Sequence, residues 1–448
     1  MELTPHLPHL PTVIGTPLEM KPVQTRRIFT RNLLAMGSLV ALGATQAWAE
    51  DPVFTSSLPS APQKKAPVGD LATRTEIVAG MDQVPMLSPA SYDAMLGAIA
   101  MYEEFAAGGG WRELPQQTLK KGMKGDAVIA LRQRLVSENY LPFDTLTEGN
   151  PEVFDDELVE AVRAFQINHG VLPSAIVAKL TLAQLNVSAD KRLAMLRENL
   201  PRVQAYAEGL GERSILVNIP AAQLETVEYG RVYSRHNIVV GKLERPSPTL
   251  ASTVSDVNFN PYWKIPASIV ERDIVPKYLA DPSYLETNHI RVFDGVEGPE
   301  VDPALIDWSM TPPDRYFFRQ EPGEHNSLGT VKINFKNQFM VYMHDTPHRE
   351  LFGRNVRFES SGCVRIDQVQ TVVDWVLDRS GAALSPIALE MIRAAVEPFD
   401  QPVEHGPDVR FMYLTAWATE DGRVNFRPDI YGLDGTGFIW GQPEAKSF

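Results

Sequence analysis

The sequence predicts an α+β multidomain chain, in which a small three-helix unit precedes a β-rich domain that carries a long insertion. Apolar residues recur with helical spacing between residues 111 and 187, and after about residue 213 they alternate with a period of two. Thirty-five prolines and thirty glycines favour turns and strands over a helical bundle. With 448 residues, 44% of them hydrophobic, the chain is long enough for two or three domains with buried cores.

The charge balance bears on the partners that the protein attracts. The formal net charge is -14 at pH 7. An acidic chain of this kind has no general attraction for nucleic acid or for an anionic membrane surface. We therefore expect no nucleic-acid partner.

The N-terminus has the pattern of an export signal. Arg26-Arg27-Ile28-Phe29 precedes an apolar run over residues 33–44, and Ala47-Trp48-Ala49 supplies a small-x-small cleavage site. The apolar run is too short, and too rich in Gly, Ala and Ser, to span a bilayer stably. Residues 1–49 therefore predict a twin-arginine-like signal peptide, with no permanent membrane span after its cleavage. An uncleaved N-terminal anchor is the alternative.

Helical patterns dominate the next part of the chain. Residues 50–84 are rich in Pro, Ser and Ala and predict a flexible linker. Residues 85–110 predict a helix with Ser88 as N-cap and Pro89 at its first position, ended by a run of three glycines.

Residues 111–187 predict three short helices that form one small unit, and residues 188–212 predict a connecting helix. The three helical patterns are "AVIALRQRLVSENYL", "FDDELVEAVRAFQINHGV" and "AIVAKLTLAQLNV". Gly170, near the end of the second pattern, is at the position of a C-cap.

Residues 213–435 predict the β-rich domain, and residues 436–448 a C-terminal tail. The strand patterns are "SILVNIP", "QLETVEY", "RVYSRHNIVVG", "STVSDVNFNP", "TVKINF", "FMVYMHD", "VRFMYLTAWA" and "VNFRPDIYG". Alternation lapses over about residues 264–325, where "ASIVERDIVPKYLADPSYLE" is the best helical candidate. So long an excursion inside a strand-rich domain is either a functional lid or a disordered insert.

The chain contains one cysteine, Cys363, and this is unusual for an exported protein because its thiol has no partner for a disulfide within the chain. A buried, inert thiol is the usual interpretation of a single cysteine. A thiol becomes nucleophilic when a base or a positive field favours the thiolate. His344, at the end of the strand pattern "FMVYM", is the candidate base, and His348 in the following loop is the weaker one.

The residues around Cys363 suit acyl transfer. Gly362 permits close backbone approach, so that its N–H and that of Cys363 can line an oxyanion site. Arg365 suits a substrate carboxylate, with a surface ion pair as the alternative. Asp367 is placed to N-cap the helix "QVQTVVDWVLDRSG". Nine scattered histidines and one cysteine supply no metal-ligand cluster, so we expect no metal or other cofactor.

At these residues the chain resembles the L,D-transpeptidase (YkuD-type) family. The family signature is a histidine, some fifteen intervening residues and Ser/Thr-x-Gly-Cys, followed by an apolar residue and Arg or Asn. Here it consists of His344, residues 345–359 and Ser360-Ser361-Gly362-Cys363-Val364-Arg365. Many members have His at the position of Ser361. "HDTP" with "SSGCVR" resembles the large, lid-bearing subgroup of Gram-negative bacteria.

Further stretches resemble the same family or a second one. The additional matches to the catalytic family are Val217-Asn218-Ile219-Pro220, Asn260-Pro261-Tyr262-Trp263-x-x-Pro266, Asn326-Ser327-Leu328-Gly329, Thr415-Ala416-Trp417 and Asp429-Ile430-Tyr431-Gly432. The small helical unit resembles the peptidoglycan-binding domain at Lys124-Gly125-Asp126-x-Val128, Leu131-Arg132-x-x-Leu135, Ala161-Val162-x-x-Phe165-Gln166-x-x-His169-Gly170 and Thr181-Leu182-x-x-Leu185-Asn186. It departs from that pattern at Pro173-Ser174-Ala175, where Asp-Gly is usual.

The resemblance implies a β-rich periplasmic enzyme that cross-links peptidoglycan tetrapeptide stems, with the insertion as a lid over the cleft. Cys363 would be the nucleophile, His344 the general base and acid, and Gly362 part of the oxyanion site. The substrate-binding residues implied are Arg365, Ser361, Ser360, Tyr342 and Trp263. Carbapenems would acylate the thiol.

Three other functions stay open. The same site could release D-Ala to water as an L,D-carboxypeptidase, or attach a wall protein. A non-catalytic peptidoglycan-binding protein would depend on residues 111–187 alone, but it would need neither Cys363 nor His344. A papain-like protease is disfavoured, because the expected aromatic-flanked cysteine near the mature N-terminus is missing.

Overall fold

The structure of the protein is a computed structural model that describes residues 76–77, 84–147, 149–308, 310–354, 356–379 and 384–446. The predicted signal peptide and most of the predicted linker lie outside the described residues. Within these ranges no helix combines the length and the apolar character needed to cross a membrane.

The described residues contain sixteen strands in three sheets. The strands are β1 Glu76–Ile77, β2 Arg213–Asn218, β3 Gln223–Glu228, β4 Arg231–Gly241, β5 Leu250–Phe259, β6 Trp263–Lys264, β7 Ile290–Phe293, β8 Phe317–Gln320, β9 Val331–Phe335, β10 Met343–His344, β11 Phe358–Ser360, β12 Val364–Ile366, β13 Phe399–Pro402, β14 Asp408–Met412, β15 Ala416–Ala418 and β16 Val424–Phe426.

Ten α-helices accompany them. They are α1 Ser91–Ala107, α2 Asp126–Ser137, α3 Asp156–Asn168, α4 Lys179–Leu185, α5 Ala189–Ala207, α6 Ala267–Ile269, α7 Val275–Ala280, α8 Tyr284–Thr287, α9 Val369–Asp378 and α10 Pro386–Ala394. A π-helical turn over Val270–Ile274 joins α6 to α7, and short 3₁₀ turns cover Phe143–Leu146, Pro303–Leu305, Pro313–Arg315 and Arg349–Gly353.

The largest sheet closes into a mixed barrel. Its strand order is β4-β12-β10-β9-β5-β14-β2-β3, and β3 pairs back to β4. The β10–β12 and β2–β14 pairs are parallel, whereas the other pairs in this ring are antiparallel. The core combines alternate side chains of these strands with the apolar face of α9. Closure removes the exposed strand edges that an open sheet would present.

The helical unit and the connecting helices have cores of their own. Helices α2, α3 and α4 enclose a cluster that includes Leu131, Leu135 and Phe165, all fully buried. Helices α1 and α5 pack on each other and on the β15–β16 hairpin in a second cluster. The predicted fold class, a helical unit followed by a β-rich domain, is confirmed.

The insertion between Trp263 and Gln320 is an ordered subdomain in its described part. Strands β6, β8 and β7 form a three-stranded sheet, and α6, α7 and α8 pack on it around a separate apolar cluster that includes Ile274 and Phe318. The alternative of a disordered insert is therefore wrong for these residues.

Among the boundaries that differ from the sequence-based expectation, three have an evident local cause. Helix α1 begins at Ser91 and not at Pro89, because the Ser88 Oγ accepts a hydrogen bond from the Ala90 N–H within the preceding turn. Helix α9 begins at Val369 after Gln368, which has a left-handed φ of 51°, so Asp367 is not its N-cap.

The third difference is the strand pattern "FMVYMHD", of which only Met343 and His344 pair as a strand. The Asn337 side chain causes this, because its Oδ1 accepts hydrogen bonds from the Phe339 and Val341 N–H groups and folds the preceding residues into a turn.

Candidate active site

The register between β10 and β12 places two of the predicted site residues on one face of the barrel sheet. Met343 pairs with Val364, and both side chains are fully buried in the core. His344 pairs with Arg365. Because side chains alternate along a strand, His344 and Arg365 lie on the face opposite to the core. Cys363, the residue before β12, contacts Tyr342, whose ring in turn contacts that of His344.

Hydrogen bonds to two serines fix the loop that carries Cys363. The Ser360 Oγ donates to the Cys363 carbonyl at 2.5 Å and accepts from the Gly362 N–H at 3.2 Å. The Ser247 Oγ donates to the Gly362 carbonyl at 2.7 Å. Gly362 has a φ of 111°, a backbone conformation that residues with a Cβ rarely adopt. The thiol is half-buried at the end of this loop.

The two backbone amides predicted for the oxyanion site are not equivalent. The Gly362 N–H already donates to Ser360. Among the described residues the Cys363 N–H has no hydrogen-bond partner. The Cys363 N–H is therefore the donor that an oxyanion can use without breaking a bond, and the role of Gly362 stays a prediction.

The hydrogen bond of His344 to the backbone determines which of its nitrogens can act as a base. Its Nδ1 lies 2.6 Å from the Asp345 carbonyl oxygen, which can only accept, so Nδ1 carries the proton and Nε2 has the free lone pair. The Asp345 carboxylate accepts hydrogen bonds from the Thr330 N–H at 3.0 Å and hydroxyl at 2.9 Å. This network holds the imidazole in one tautomer.

The electrostatic surroundings keep both reacting groups neutral in the free protein. Burial lowers the pKa of His344 to about 3, and the charges of Arg365 and Lys332 act in the same direction. Burial raises the pKa of the Cys363 thiol, although hydrogen bonds from Tyr342 and the two cations oppose this. The imidazole is therefore neutral and the thiol protonated, so the thiol must lose its proton before or as the sulfur attacks.

Tyr342 links the thiol, the imidazole and the insertion. Its ring meets that of His344 edge-on at a centroid distance of 5.6 Å, and the Lys332 Nζ lies 4.2 Å from its centroid. Burial raises the pKa of Tyr342, the charge of Cys363 adds to this, and a hydrogen bond with Trp263 opposes it. Trp263, in β6, thus reaches the site from the base of the insertion.

Ser361 forms a second link to the insertion. It is exposed, and its Oγ accepts a hydrogen bond from the Arg245 Nη1 at 3.0 Å. Arg245 also forms an ion pair with Asp273 in the π-helical turn, where Nη2 and Oδ1 are 3.2 Å apart. The loop next to Cys363 is therefore tied to the insertion through one guanidinium group.

Arg365 and His348, the remaining predicted residues, lie in different surroundings. Arg365 forms no ion pair with any described residue, and its buried Nε has no hydrogen-bond partner there. His348 lies outside the strand, with its Nδ1 3.6 Å from the Glu350 carboxylate. No group of three or more His, Cys, Asp or Glu side chains in the described ranges is arranged to hold a metal ion.

Sequence reasoning missed four residues that the structure places at the site, namely Ser247, Arg245, Asp273 and Lys332. The first three are distant in sequence from Cys363, and no local pattern identifies them. Lys332 could have been noticed in the sequence, because it is a charged residue between the apolar residues of the strand pattern "TVKINF".

Two family models match the chain. Residues 212–389 match the L,D-transpeptidase catalytic domain, and residues 124–185 match the "Putative peptidoglycan binding domain". The candidate site lies wholly within the segment of residues 212–389 that matches the catalytic-domain model.

A curated protein is similar to part of the chain. The chain is 33% identical over 245 residues to a "Putative L,D-transpeptidase" of Haemophilus influenzae, a match that covers 54% of this chain and 48% of that one. The chain thus spans about half the length of this curated relative.

Solved L,D-transpeptidases are more distant. One from Xylanimonas cellulosilytica is 15% identical, with 66% of this chain and 98% of that chain covered and a TM-score of 0.21. L,D-transpeptidase 3 from Mycobacterium tuberculosis, in complex with a faropenem-derived adduct, is 12% identical, with 45% and 60% covered and a TM-score of 0.22.

Proposed function

We propose that the protein is an L,D-transpeptidase that forms 3→3 cross-links between diaminopimelate residues of peptidoglycan through a thioester on Cys363. The observation that carries this proposal is the contact of Tyr342 with both Cys363 and His344, with the imidazole Nε2 free to take a proton. The match of residues 212–389 to the catalytic domain supports the same reaction class.

The first half-reaction would acylate the enzyme. The His344 Nε2 takes the thiol proton as the Cys363 sulfur attacks the carbonyl of diaminopimelate at position 3 of a donor tetrapeptide. The Cys363 N–H stabilises the oxyanion. The imidazolium then protonates the departing amine of D-Ala, and a thioester remains.

The second half-reaction would transfer the acyl group. The side-chain amine of a second diaminopimelate attacks the thioester, and His344 removes the proton that this amine loses. The carbon–sulfur bond breaks, a new amide joins the two stems, and the sulfur leaves as a thiol.

Two other acceptors could resolve the same thioester. Water in place of the second amine would give an L,D-carboxypeptidase, and an amine of a wall protein would give protein attachment. A purely binding role would leave the neutral thiol–imidazole arrangement without a purpose.

We also propose that the protein acts in the periplasm after removal of residues 1–49, and that residues 50–84 form a linker. The helical unit over 111–187 would bind the cell wall, and the insertion over about 264–325 would act as a lid on the catalytic domain of residues 213–435. The match of residues 124–185 to a peptidoglycan-binding domain supports the wall contact.

Intact-mass spectrometry of the full chain with a purified tetrapeptide tests the proposal. Wild type is expected to form a thioester adduct and to release D-Ala, whereas Cys363→Ala forms no adduct but keeps its circular dichroism spectrum. A carbapenem is expected to add one inhibitor mass to wild type alone, because its strained lactam is an electrophile for the same thiol.

Product mapping distinguishes the acceptors. Mass analysis of digested wall is expected to show 3→3 dimers, whereas tripeptides alone would indicate hydrolysis and protein-linked muropeptides would indicate attachment. Cross-linking that survives the Cys363→Ala substitution would disprove the mechanism.

A further inference from the structure

We propose that Lys332 binds a carboxylate of the donor stem peptide beside the scissile bond, an inference that rests on the proposed function. Such a residue would contribute to recognition of the tetrapeptide without taking part in proton transfer. None of the family motifs quoted above includes it.

The position of Lys332 in the sheet places its side chain next to the base. In β9, Val331 and Ile333 are fully buried in the core, so Lys332 between them points to the opposite face. Lys332 pairs directly with His344, which in turn pairs with Arg365 on its other side. The imidazole is therefore bracketed by two cationic side chains on one face.

The ammonium group has no anionic partner in the described part of the protein. Its Nζ packs 4.2 Å from the centroid of the Tyr342 ring, and no hydrogen bond or ion pair accompanies this contact. Some other buried cations differ, because Arg235 contacts the Glu225 carboxylate at 2.8 Å and Arg202 contacts Asp434 at 2.6 Å.

The nearby carboxylates are occupied by amide groups. The Asp256 Oδ1 accepts hydrogen bonds from the Asn258 and Asn334 side chains at 3.1 Å and 2.6 Å. The Asp400 Oδ1 accepts one from Asn258 at 2.8 Å. These carboxylates lower the cost of holding a cation here, yet they leave its ammonium free to meet a ligand.

The charge balance favours an anionic ligand at this point. Burial lowers the pKa of Lys332, and the negative charge of an ionised Cys363 opposes that effect. A half-buried cation without a direct partner gains most from a carboxylate that arrives with the substrate. The donor has two such groups close to the scissile bond, the terminal carboxylate of D-Ala and the side-chain carboxylate of diaminopimelate.

The test compares acylation rates of three tetrapeptides by intact-mass kinetics. One is unmodified, one has a C-terminal carboxamide, and one is amidated at the diaminopimelate side chain. Lys332→Met in the full chain is expected to reduce kcat/KM for the unmodified peptide by about 10- to 100-fold. The same variant is expected to lose little on whichever amidated peptide lacks the bound carboxylate, and that peptide identifies the carboxylate.

Two controls make the comparison independent of folding. Lys336→Met removes an exposed lysine just beyond the same strand and is expected to leave all three rates unchanged. Lys332→Arg keeps the charge and is expected to retain the preference for the unmodified peptide. Ratios between substrates within one variant do not depend on the fraction of folded protein.

The proposal would be overturned if Lys332→Met lowered kcat/KM by the same factor on all three peptides and also shifted the pH dependence of Cys363 alkylation by iodoacetamide. Lys332 would then act on the thiolate alone. Failure of wild type to acylate with any of the peptides would instead refute the proposed function.

Discussion

His344 owes its protonation state to its immediate neighbours. Burial and two flanking cations lower its pKa to about 3, and the Asp345 carbonyl fixes the proton on Nδ1. A base that is already neutral at pH 5 needs no deprotonation before it can accept the thiol proton. The ordinary histidine titration near pH 6.5 is therefore not expected to control this site.

This leads to a prediction about pH dependence. From pH 5 to 7, kcat/KM for acylation is expected to show no loss on the acid side that titrates near 6.5, because the imidazole remains neutral until about pH 3. At higher pH the rate is expected to rise as the thiol, whose pKa is raised, ionises. Stopped-flow or quenched mass kinetics across the range measure this profile. An acid limb near pH 6.5 that disappears in His344→Gln would contradict it.

A substitution pair tests the choice of base. His344→Gln is expected to slow acylation by about 10²- to 10⁴-fold, because it removes the proton acceptor. His348→Gln is the matched control, since that imidazole lies beside Glu350 in the following loop, and we expect less than about a threefold effect from a side chain of this kind. Equal losses in the two variants would refute the assignment of the base.

At the scale of residues, the sequence was informative where chemistry and local spacing coincide. The lone thiol, the glycine before it and the histidine at a strand end could all be recognised from local pattern. Ser247 and Arg245 could not, because their roles depend on contacts between segments that are far apart in the chain. Lys332 stood out only as a charge within an apolar strand pattern, and its place beside His344 depends on strand register. A one-residue shift of β9 would turn Lys332 into the core.

At the scale of elements, side-chain contacts join the insertion to the loop that carries Cys363. Arg245 lies in the connection between β4 and β5, Asp273 lies in the π-helical turn, and Ser361 directly precedes Gly362. Trp263 adds a second contact through Tyr342. Movement of the insertion away from this loop would break the ion pair between Arg245 and Asp273.

Asp273→Asn is expected to loosen the insertion. The substitution removes the ion pair with Arg245, and about 1 kcal/mol of lost stabilisation corresponds to about fivefold faster opening. Hydrogen–deuterium exchange of backbone amides over residues 267–280 measures this. Glu300→Gln is the control, because its ion pair with Arg291 is exposed and lies in the same subdomain. Unchanged exchange in the first variant would mean that the ion pair does not hold the insertion.

The sequence predicted the elements unevenly. Strand β4 matches its pattern to the residue, since the apolar alternation of "RVYSRHNIVVG" is bounded by Gly230 and Gly241. Strands β11 and β12 flanking Cys363 were not predicted, because three-residue strands have too few alternations to be recognised. The helices of the insertion were foreseen only as one segment, and the π-helical turn that carries Asp273 has no sequence signature.

At the scale of the whole molecule, buried polar contacts attach the helical unit to its neighbours. Arg134 and Glu138 in and just after α2 form an ion pair at 2.7 Å with side chains that are each 1% exposed. The Tyr102 hydroxyl of α1 donates to the same carboxylate at 2.8 Å. At the end of α3, the His169 ring stacks on Phe426 of β16 at a centroid distance of 5.4 Å.

Glu138→Gln is expected to destabilise the protein by about 3–5 kcal/mol, because it leaves the Arg134 guanidinium buried without a counter-charge. Urea unfolding followed by fluorescence measures the change. Glu160→Gln is the control, since its pair with Arg163 is 70% and 47% exposed and should contribute less than about 1 kcal/mol. Similar effects from the two substitutions would show that the buried pair is not a structural anchor.

The order of the helical unit and the β-rich domain could be derived from hydrophobic periodicity, but their packing could not. Arg134 and Glu138 appear in the sequence as an ordinary i,i+4 pair of a solvated helix surface. The contacts that surround this pair come from outside α2, because Tyr102 of α1 donates to Glu138 and the Arg134 guanidinium lies over the Trp111 ring.

Strand β14 is the last barrel strand in chain order, and it enters between β5 and β2. Residues 408–412 leave the ribosome after every residue of the reaction centre has been synthesised. A nascent chain therefore contains Cys363 before the barrel around it is closed. We expect chains that end before β14 to be inactive and prone to associate through the unpaired edges of β2 and β5.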